Sequence, residues 1–508
     1  MVNALRSYTL RRSGSHMLPF SSCFINRLNL VPKAAFILSG VMFLGVGCAT
    51  YRQAPLDEPF VQKALASPDT HVVRMAVAEL RHPVLSPVVL DLGDGLSPDE
   101  AAVLAVVTNP QLRVMRAGRG IAEAQLIAAG ILPNPQLAAS ADFPVDDTTG
   151  ASTALGLGLS LDLGGFLSRP AERAAARAGL AQVTLDIAWQ EWLVAQATRQ
   201  QAYNTVFLER QVALAREQEE ALQENLRVLT EARKRRLVTQ TDRAAAEAAF
   251  LQARATRLDL EVQRDTTRQG LLRLLGFPPT ANLRLQPTGI PFAVHLDLQA
   301  NEADTPARPA VAIDTTIIPL LSVFSADTLV AHLERSRLDL VALRYGYESQ
   351  DASLRAAILR QFPSLNIGLN GARDTGRLLT LGPALSIGLP FFDRNQGEIA
   401  VASATREQLR QTYVARLFEA RSLVDILLQQ LADVQQQLHT AEAAARAQRT
   451  LVQTYGAAFR RGDADVLTYY TARTDLIAAE LTVVQLRQAL ANLVVALETA
   501  TGERIHIP

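Results

Sequence analysis

Cysteine is nearly missing from this sequence: Cys23 and Cys48 are the only two among 508 residues. A chain with so few has no disulfide framework, so its stability must come from packing. Net charge is missing too, with 50 basic residues against 50 acidic ones, which removes the usual signature of a nucleic-acid partner. Aromatic residues make up only 6%, whereas alanine is abundant, a bias towards long helices in close approach rather than the mixed core of an enzyme. The seven histidines are scattered. None stands in an HExxH pattern or beside a cysteine pair, and no glycine-rich stretch is followed by GK[ST]. No catalytic site, cofactor or metal is therefore expected, and the chain does not read as an enzyme.

A long apolar run is also lacking. The stretch AAFILSGVMFLGVG, residues 34–47, is too short to span a bilayer as a helix, which takes about 20 residues. It follows Arg27 and Lys33 and stops at Cys48, the pattern of a secretory signal. Gly45 and Gly47 before Cys48 resemble a lipobox, although Leu44 stands one place earlier than that motif requires. Cys48 is accordingly the candidate lipidation site, with palmitate among the expected acyl groups. Plain signal cleavage and an uncleaved anchor are the alternatives, and Met17 is a candidate start.

What the chain does have is alternation. Residues 155–163 read LGLGLSLDL, so that Leu155, Leu157, Leu159, Leu161 and Leu163 alternate with glycine, serine and aspartate. A period of two places alternate side chains on opposite faces of a strand, one wholly apolar and the other small and polar. Such a strand is either half-buried in a soluble sheet or part of a lipid-facing wall, where about 9–11 residues suffice. Leu365, Ile367 and Leu369 alternate in the same way with Ser364, Asn366, Gly368 and Asn370. Four strand-like runs result, at 135–143, 153–163, 363–371 and 379–389.

The chain is also written twice. Ser97-Pro98-Asp99 recurs as Ser325-Ala326-Asp327, Leu112 as Leu340, and Pro135-Gln136-Leu137 as Pro363-Ser364-Leu365, each at an offset of 228. Leu159-Ser160 recurs as Leu385-Ser386 and Gly276 as Gly502 at 226, and Arg235-Arg236 as Arg460-Arg461 at 225. Each copy opens on a helix of about 30 residues, announced in the first by the capping pattern of Ser97, Pro98 and Glu100. Two strands follow, then a run of about 65 residues with almost no proline or glycine, 167–233 or 394–458, which as a helix is about 100 Å long. Leu208, Val212, Ala215, Leu222, Leu226 and Leu229 mark a heptad seam along it. After a break at Arg235–Gln240 or Arg461–Asp465 a helix returns, at 241–275 or 466–500. Four strands cannot close a barrel alone, and nothing else in the chain buries their leucine faces. Several chains together could, with the barrel in lipid and the helices outside it.

Four segments resemble the TolC-type outer-membrane efflux proteins. LSPDEAAVLAVVTNPQL (96–112) is similar to the family's opening helix, and GPALSIGLPFFDRNQGEIAVASA (382–404) to its strand-to-helix junction. LVTQTDRAAAEAAFLQA (237–253) and YGAAFRRGDADVLTYYTARTDL (455–476) resemble its two tip turns and returning helices. The resemblance implies a mostly α membrane protein with two internal repeats: a trimeric, 12-stranded transmembrane β-barrel, continued by an α-helical coiled-coil tunnel in the periplasm. It implies a lipid-anchored outer-membrane channel of a tripartite efflux or export system, a homotrimer docking a periplasmic adaptor (membrane fusion protein) and an inner-membrane pump. Leu155, Leu157, Leu159, Leu161 and Leu163 would face outer-membrane lipid. The other class of function weighed is a periplasmic adaptor or coiled-coil tether, which would carry one helical hairpin rather than two hairpins and two strand pairs.

Carried onto this chain, the tip or gate candidates are Thr241, Asp242, Phe459, Arg461, Gly462, Asp463, Asp465, Thr468 and Thr471. Arg236 stands at the family's usual glycine, Phe459 at its tyrosine, and Thr468 and Thr471 where constricting aspartates occur. A phenylalanine ring cannot hydrogen-bond as a phenol does, so the closed-tip contacts must differ, with Tyr455 one turn earlier as a substitute. Arg461-Gly462-Asp463 spells an adhesion tripeptide but is read as a tip turn. The run Arg233–Arg236 is either an adaptor-docking surface or a solvated helix end. Trp189 and Trp192 are read as packing residues. The expected organisation is a signal peptide (1–47), an extended segment (48–95), a first repeat (96–276), a connector with seven prolines (277–324), a second repeat (325–502) and a tail (503–508).

Overall fold

The computed structural model describes residues 50–90, 93, 95–145, 152–286, 326–461, 463 and 466–505. Cys48 and the signal segment, residues 287–324 of the connector, Ser325, Gly462 and Asp465 lie outside the described residues. Residues 1–66 and 67–508 form two compact units. In the first, helix α1 (Glu58–Leu65) starts where the Asp57 carboxylate accepts the Phe60 N–H at 3.1 Å.

The second unit holds all other elements. Helix α2 (Thr70–Ala78) is capped by Asp69. Helix α3 (Pro98–Thr108) opens on the expected capping box: the Glu100 N–H donates to Ser97 Oγ at 3.2 Å, and the Ser97 N–H to Glu100 Oε2 at 2.8 Å. Instead of continuing for about 30 residues, it breaks at Asn109, and α4 (Pro110–Ala128) begins. Pro110 has no N–H and pushes the residue before it out of helical backbone. The Asn109 carboxamide oxygen then caps Gln111 and Leu112, and its NH2 donates to the Leu274 carbonyl at 2.8 Å. A second break falls at Arg337, between α7 (Ala326–Ser336) and α8 (Leu338–Leu359), without a proline. There Arg337 donates to the Ala500 carbonyl and pairs with Asp339 at 2.6 Å.

Two helices dominate the unit. Helix α5 (Gly164–Lys234) has 71 residues and α9 (Gln396–Arg461) has 66, about 100 Å each at 1.5 Å per residue. Each is followed by a returning helix of 36 residues, α6 (Gln240–Leu275) or α10 (Val466–Thr501). Helix α5 packs against α4, α6, α8 and α10, while α9 packs against α8 and α10. Leu208, Val212 and Ala215 of the expected seam are buried together with Leu260 of α6. Trp189 and Trp192 are core residues, packed with Leu338 and Ala342 of α8. Helix α10 is long and apolar enough to cross a bilayer by composition alone. Its Leu490, Ala491, Val494 and Val495 are nevertheless buried between helices, with Tyr203 and Phe207 of α5 or Val424 and Leu431 of α9. Burying one leucine contributes about 1.5–3 kcal/mol, so these seams hold the frame along its length rather than at one centre.

Strands β1 (Gln136–Asp142), β2 (Ala154–Asp162), β3 (Leu365–Arg373) and β4 (Leu379–Ile387) form one antiparallel sheet in the order β1-β2-β3-β4. Leu163 differs from expectation. The Asp162 carboxylate accepts the Gly164 N–H at 2.8 Å and turns the chain, so the strand ends at Asp162 and Leu163, with φ −93° and ψ −14°, enters α5.

Candidate functional site

The register of the sheet sets like residues beside like. Leu157 stands opposite Ala139 and Gly371, Leu159 opposite Leu137 and Leu369, and Leu161 opposite Ile367, which itself faces Leu385. On the other face Gly156 meets Ser140, Gly158 meets Asn370, and Ser160 meets Gly368. Alternation within each strand thus adds up to one face of leucine and isoleucine and one of small, polar residues. A slip of one residue would exchange the two. Leu155, Leu157 and Leu159 are 53%, 57% and 51% exposed, and Leu161 is half-buried. The polar face is crowded: a Cβ on Gly158 would stand 2.7 Å from Asn370 Oδ1. Glycine there lets the neighbouring strand's side chain lie across β2.

At the far end of α5 the Arg236 N–H donates to the Arg233 carbonyl at 2.9 Å and the Leu237 N–H to the Ala232 carbonyl at 3.0 Å. These paired bonds close a helix through a left-handed residue. That residue is Arg236, with φ +60°. Thr239 then caps α6: its Oγ1 accepts the Asp242 N–H at 3.1 Å, while the Asp242 carboxylate accepts the Thr239 N–H at 2.9 Å and hydroxyl at 2.7 Å. These bonds hold the Asp242 carboxyl below its usual pKa. The acid expected at the tip is therefore engaged in a helix cap. Its partner is Thr239, whereas Thr241 is exposed and takes no part in the cap. The Thr-x-x-Asp spacing at 239–242 was the available sequence signal.

At the second tip the Asp463 N–H donates to the Ala458 carbonyl at 2.9 Å, 226 positions after the Leu237-to-Ala232 bond. Arg236 therefore corresponds to Gly462, one place from the expected match of Arg236 with Arg461. Phe459 stacks on Tyr469 of α10, with centroids 5.6 Å apart and planes within 4°, and Tyr469 meets Tyr470 edge-on at 5.5 Å. The ring without a hydroxyl thus joins α9 to α10 by stacking on a residue of the facing helix. A Cβ on Gly456 would stand 3.2 Å from the Tyr469 ring, so glycine admits that ring against α9. Arg461 Nε lies 3.1 Å from Asp463 Oδ2, both exposed. Thr468 and Thr471 are exposed one turn apart on α10, and the Thr471 carbonyl accepts the Thr474 hydroxyl at 2.8 Å. Arg233, Arg235 and Arg236 are exposed, and Lys234 pairs with Glu231 at 2.7 Å.

Buried charges that sequence reasoning missed lie between the sheet and the tips. Arg199 of α5 pairs with Glu498 of α10 and, at 2.9 Å, with Asp99. Arg504 grips both Asp99 oxygens at 2.8 Å, and the Ile505 N–H donates to Glu498 Oε1 at 3.1 Å. Burial opposes the Arg199 charge, but Glu498, Tyr203 and Asp99 outweigh it and push its pKa up. His82 is held on both ring nitrogens. Nδ1 accepts the Val84 and Leu85 N–H groups at 3.1 and 3.0 Å, so Nε2 carries the proton and donates to the Ala188 carbonyl at 2.9 Å. Glu191 lies 3.8 Å from Nε2 and pairs with Arg116 at 2.6 Å. Burial keeps the His82 pKa below its ordinary value. No sequence signal joins groups so far apart along the chain. Among the described residues no set of three or more His, Cys, Asp or Glu is placed to hold a metal ion.

Residues 329–503 match the family model described as outer membrane efflux protein. No curated protein matches the chain. Among solved structures, the open-state MtrE outer membrane channel of Neisseria gonorrhoeae is similar with a TM-score of 0.61 and 17% identity, over 84% of this chain and 96% of that one. The CmeC outer membrane channel of Campylobacter jejuni gives 0.61 and 15%, over 80% and 85%. The outer membrane protein VceC of Vibrio cholerae gives 0.60 and 16%, over 80% and 96%. A four-stranded sheet with an apolar face, carried on helices of about 100 Å, thus has the fold of these channels, and residues 329–503 of the chain are similar to the outer membrane efflux protein family.

Proposed function

We propose that the chain is the outer-membrane channel of a tripartite efflux or export system, a homotrimer whose three four-stranded sheets close into one twelve-stranded barrel. One observation carries this reading. The leucine and isoleucine face of the sheet is exposed along β2, β3 and β4, and among the described residues β1 and β4 are each paired on one side only. A face of this kind is stable against lipid, and edges of this kind are stable when each meets the other's copy. The polar face then lines the lumen, and the long helices continue it as a periplasmic tunnel, the recurring order of elements in the two halves supporting an internal duplication. The tips are the surfaces offered to a periplasmic adaptor and, with it, to an inner-membrane pump. Cys48 is the proposed lipid attachment, joined to the first repeat by the segment 48–95.

Native mass measurement of detergent-extracted protein tests the assembly. The expected result is a trimer that conducts in planar bilayers; a monomer soluble without detergent would rule the channel out. At the tip, replacing Asp463 and Asp465 together with alanine is expected to alter single-channel conductance or cation preference, and unchanged values would remove both from the gate. An adaptor or tether is the poorer reading, because neither has use for a sheet with an exposed leucine face.

A further inference from the structure

The sheet has one charged end. Between Gln136 and Asp162 there is no basic residue, and between Leu365 and Ile387 there are two, Arg373 and Arg377. All four junctions with helices lie at the opposite end: α4 leads into β1 and α8 into β3, while α5 follows β2 and α9 follows β4. In the channel proposed above the helices are periplasmic, so the two arginines stand at the exterior rim of the barrel.

Register puts Arg373 on the apolar face. It shares that side of β3 with Leu365, Ile367 and Leu369, and it stands opposite Leu155 on β2 and Leu379 on β4. Leu155, Leu379 and Leu381 are 53%, 78% and 74% exposed, and Arg373 is exposed with them. The eight steps from Leu365 to Arg373 span about 26 Å along the strand, which at a barrel tilt of about 40° covers about 20 Å of height. The apolar band of such a barrel is about 25 Å tall. Arg373 therefore lies where acyl chains give way to headgroups, the level at which a lipid-facing arginine is tolerated. Arg377 belongs to the turn that follows: its N–H donates to the Asp374 carbonyl at 3.1 Å, and its φ is +69°. That left-handed place suits glycine, yet Gly376 stands one position too early to take it. An arginine where the backbone favours glycine points to a role for its side chain. The Asp374 carboxylate accepts the Leu378 N–H at 2.8 Å, and among the described residues neither arginine is in an ion pair.

We infer that Arg373 and Arg377 hold the phosphates of an outer-leaflet glycolipid whose acyl chains lie along Leu155, Leu379 and Leu381. This rests on the channel reading and adds the lipid that the barrel recognises. A guanidinium is a planar fork that pairs with phosphate through two hydrogen bonds at once, and it sheds water more readily than an ammonium. Beside an apolar surface, which excludes water on one side, that pairing is stronger than in bulk solvent. Charge and leucine meet at one place, which fits a molecule that is anionic at one end and hydrocarbon at the other. Because the first hairpin has no arginine, a closed ring carries separate patches, one on each copy, rather than a continuous belt of charge.

The test titrates the detergent-extracted full-length protein with purified diphosphoryl lipid A, followed by thermal unfolding, and repeats the titration with the same lipid stripped of its phosphates and with inorganic phosphate alone. The expected result is saturable stabilisation by the phosphorylated lipid only. In Arg373→Gln and in Arg377→Gly the half-saturating concentration should rise about tenfold. Without lipid, Arg373→Gln should unfold as the unaltered chain does, and Arg377→Gly at least as late, since glycine relieves the left-handed turn. Equal stabilisation by the dephosphorylated lipid, or an unshifted titration in both variants, overturns the site. Stabilisation by inorganic phosphate at the same concentration overturns it as well, leaving an adventitious ion only. Earlier unfolding of Arg373→Gln before any lipid is added would assign that arginine to a carboxylate of the barrel instead. None of these outcomes touches the channel reading, which falls, and the site with it, if the unaltered chain is a monomer soluble without detergent.

Discussion

Arg236 holds a backbone conformation that suits glycine, φ +60° on an exposed turn. Removing its Cβ relieves about 1–2 kcal/mol of steric cost, and the freer unfolded backbone of glycine takes back about 0.4–1 kcal/mol. Arg236→Gly is therefore expected to stabilise the first tip by up to about 1.5 kcal/mol, seen as slower amide exchange at Leu237. Faster exchange would show that the arginine side chain holds the turn. His82 sets a pH dependence. Docked, burial keeps its imidazole neutral and its pKa below the ordinary value, with Glu191 raising it and Arg116 lowering it. Released, it titrates near 6.5, so the released form takes up the proton first as the pH falls. Docking of residues 82–85 on α5 is thus complete above about pH 6.5 and weakens from there down to the lowered pKa. Amide exchange at Val84 and Leu85, corrected for its intrinsic rate, should accelerate on going from about pH 7.5 to about pH 5.5; flat protection would remove His82 from the latch. The arginine's position was legible as a departure from a glycine, whereas the histidine was not, since the partners of its Nε2 sit on α5 and the Arg116 charge on α4.

Among the elements, what local chemistry dictates was readable. Strand alternation and the lack of proline from 171 to 277 placed four strands and the two long helices close to where they lie. The break at Asn109 was written in the following proline, yet the break at Arg337 depends on the Ala500 carbonyl, a contact that no local pattern encodes. The end of β2 turned on one Asp162 carboxylate that captures the next turn's N–H. At the second tip the sequence showed only that Phe459 lacks a hydroxyl; the structure supplies its stack on Tyr469. That stack should couple α9 to α10. A double-mutant cycle with Phe459→Ala and Tyr469→Ala, read by thermal unfolding, is expected to give a coupling of about 0.5–1.5 kcal/mol. Additive losses would mean that the rings are merely neighbours.

At the scale of the molecule, the group of Arg199, Glu498, Asp99 and Arg504, buried at Arg199 and Glu498, joins α5, α10, the start of α3 and the C-terminal residues. Removing one partner strands a charge away from water. Glu498→Ala is expected to cost about 3–5 kcal/mol in denaturant unfolding, and Glu498→Gln, which keeps the shape and the Gln196 contact, less. Equal losses would assign the whole effect to the missing charge, and a glutamine variant as stable as the unaltered chain would assign it to packing. Last, β2 pairs with β3 from Leu155 against Arg373 to Asp162 against Asn366, joining residues roughly two hundred positions apart, a separation that slows folding. Strand β2 therefore has no native neighbour on that side until the third strand has been synthesised and exported. The backbone edge of β2 must wait open while roughly two hundred further residues are made, so the order of the strands in the sheet sets the earliest moment at which the two halves can join.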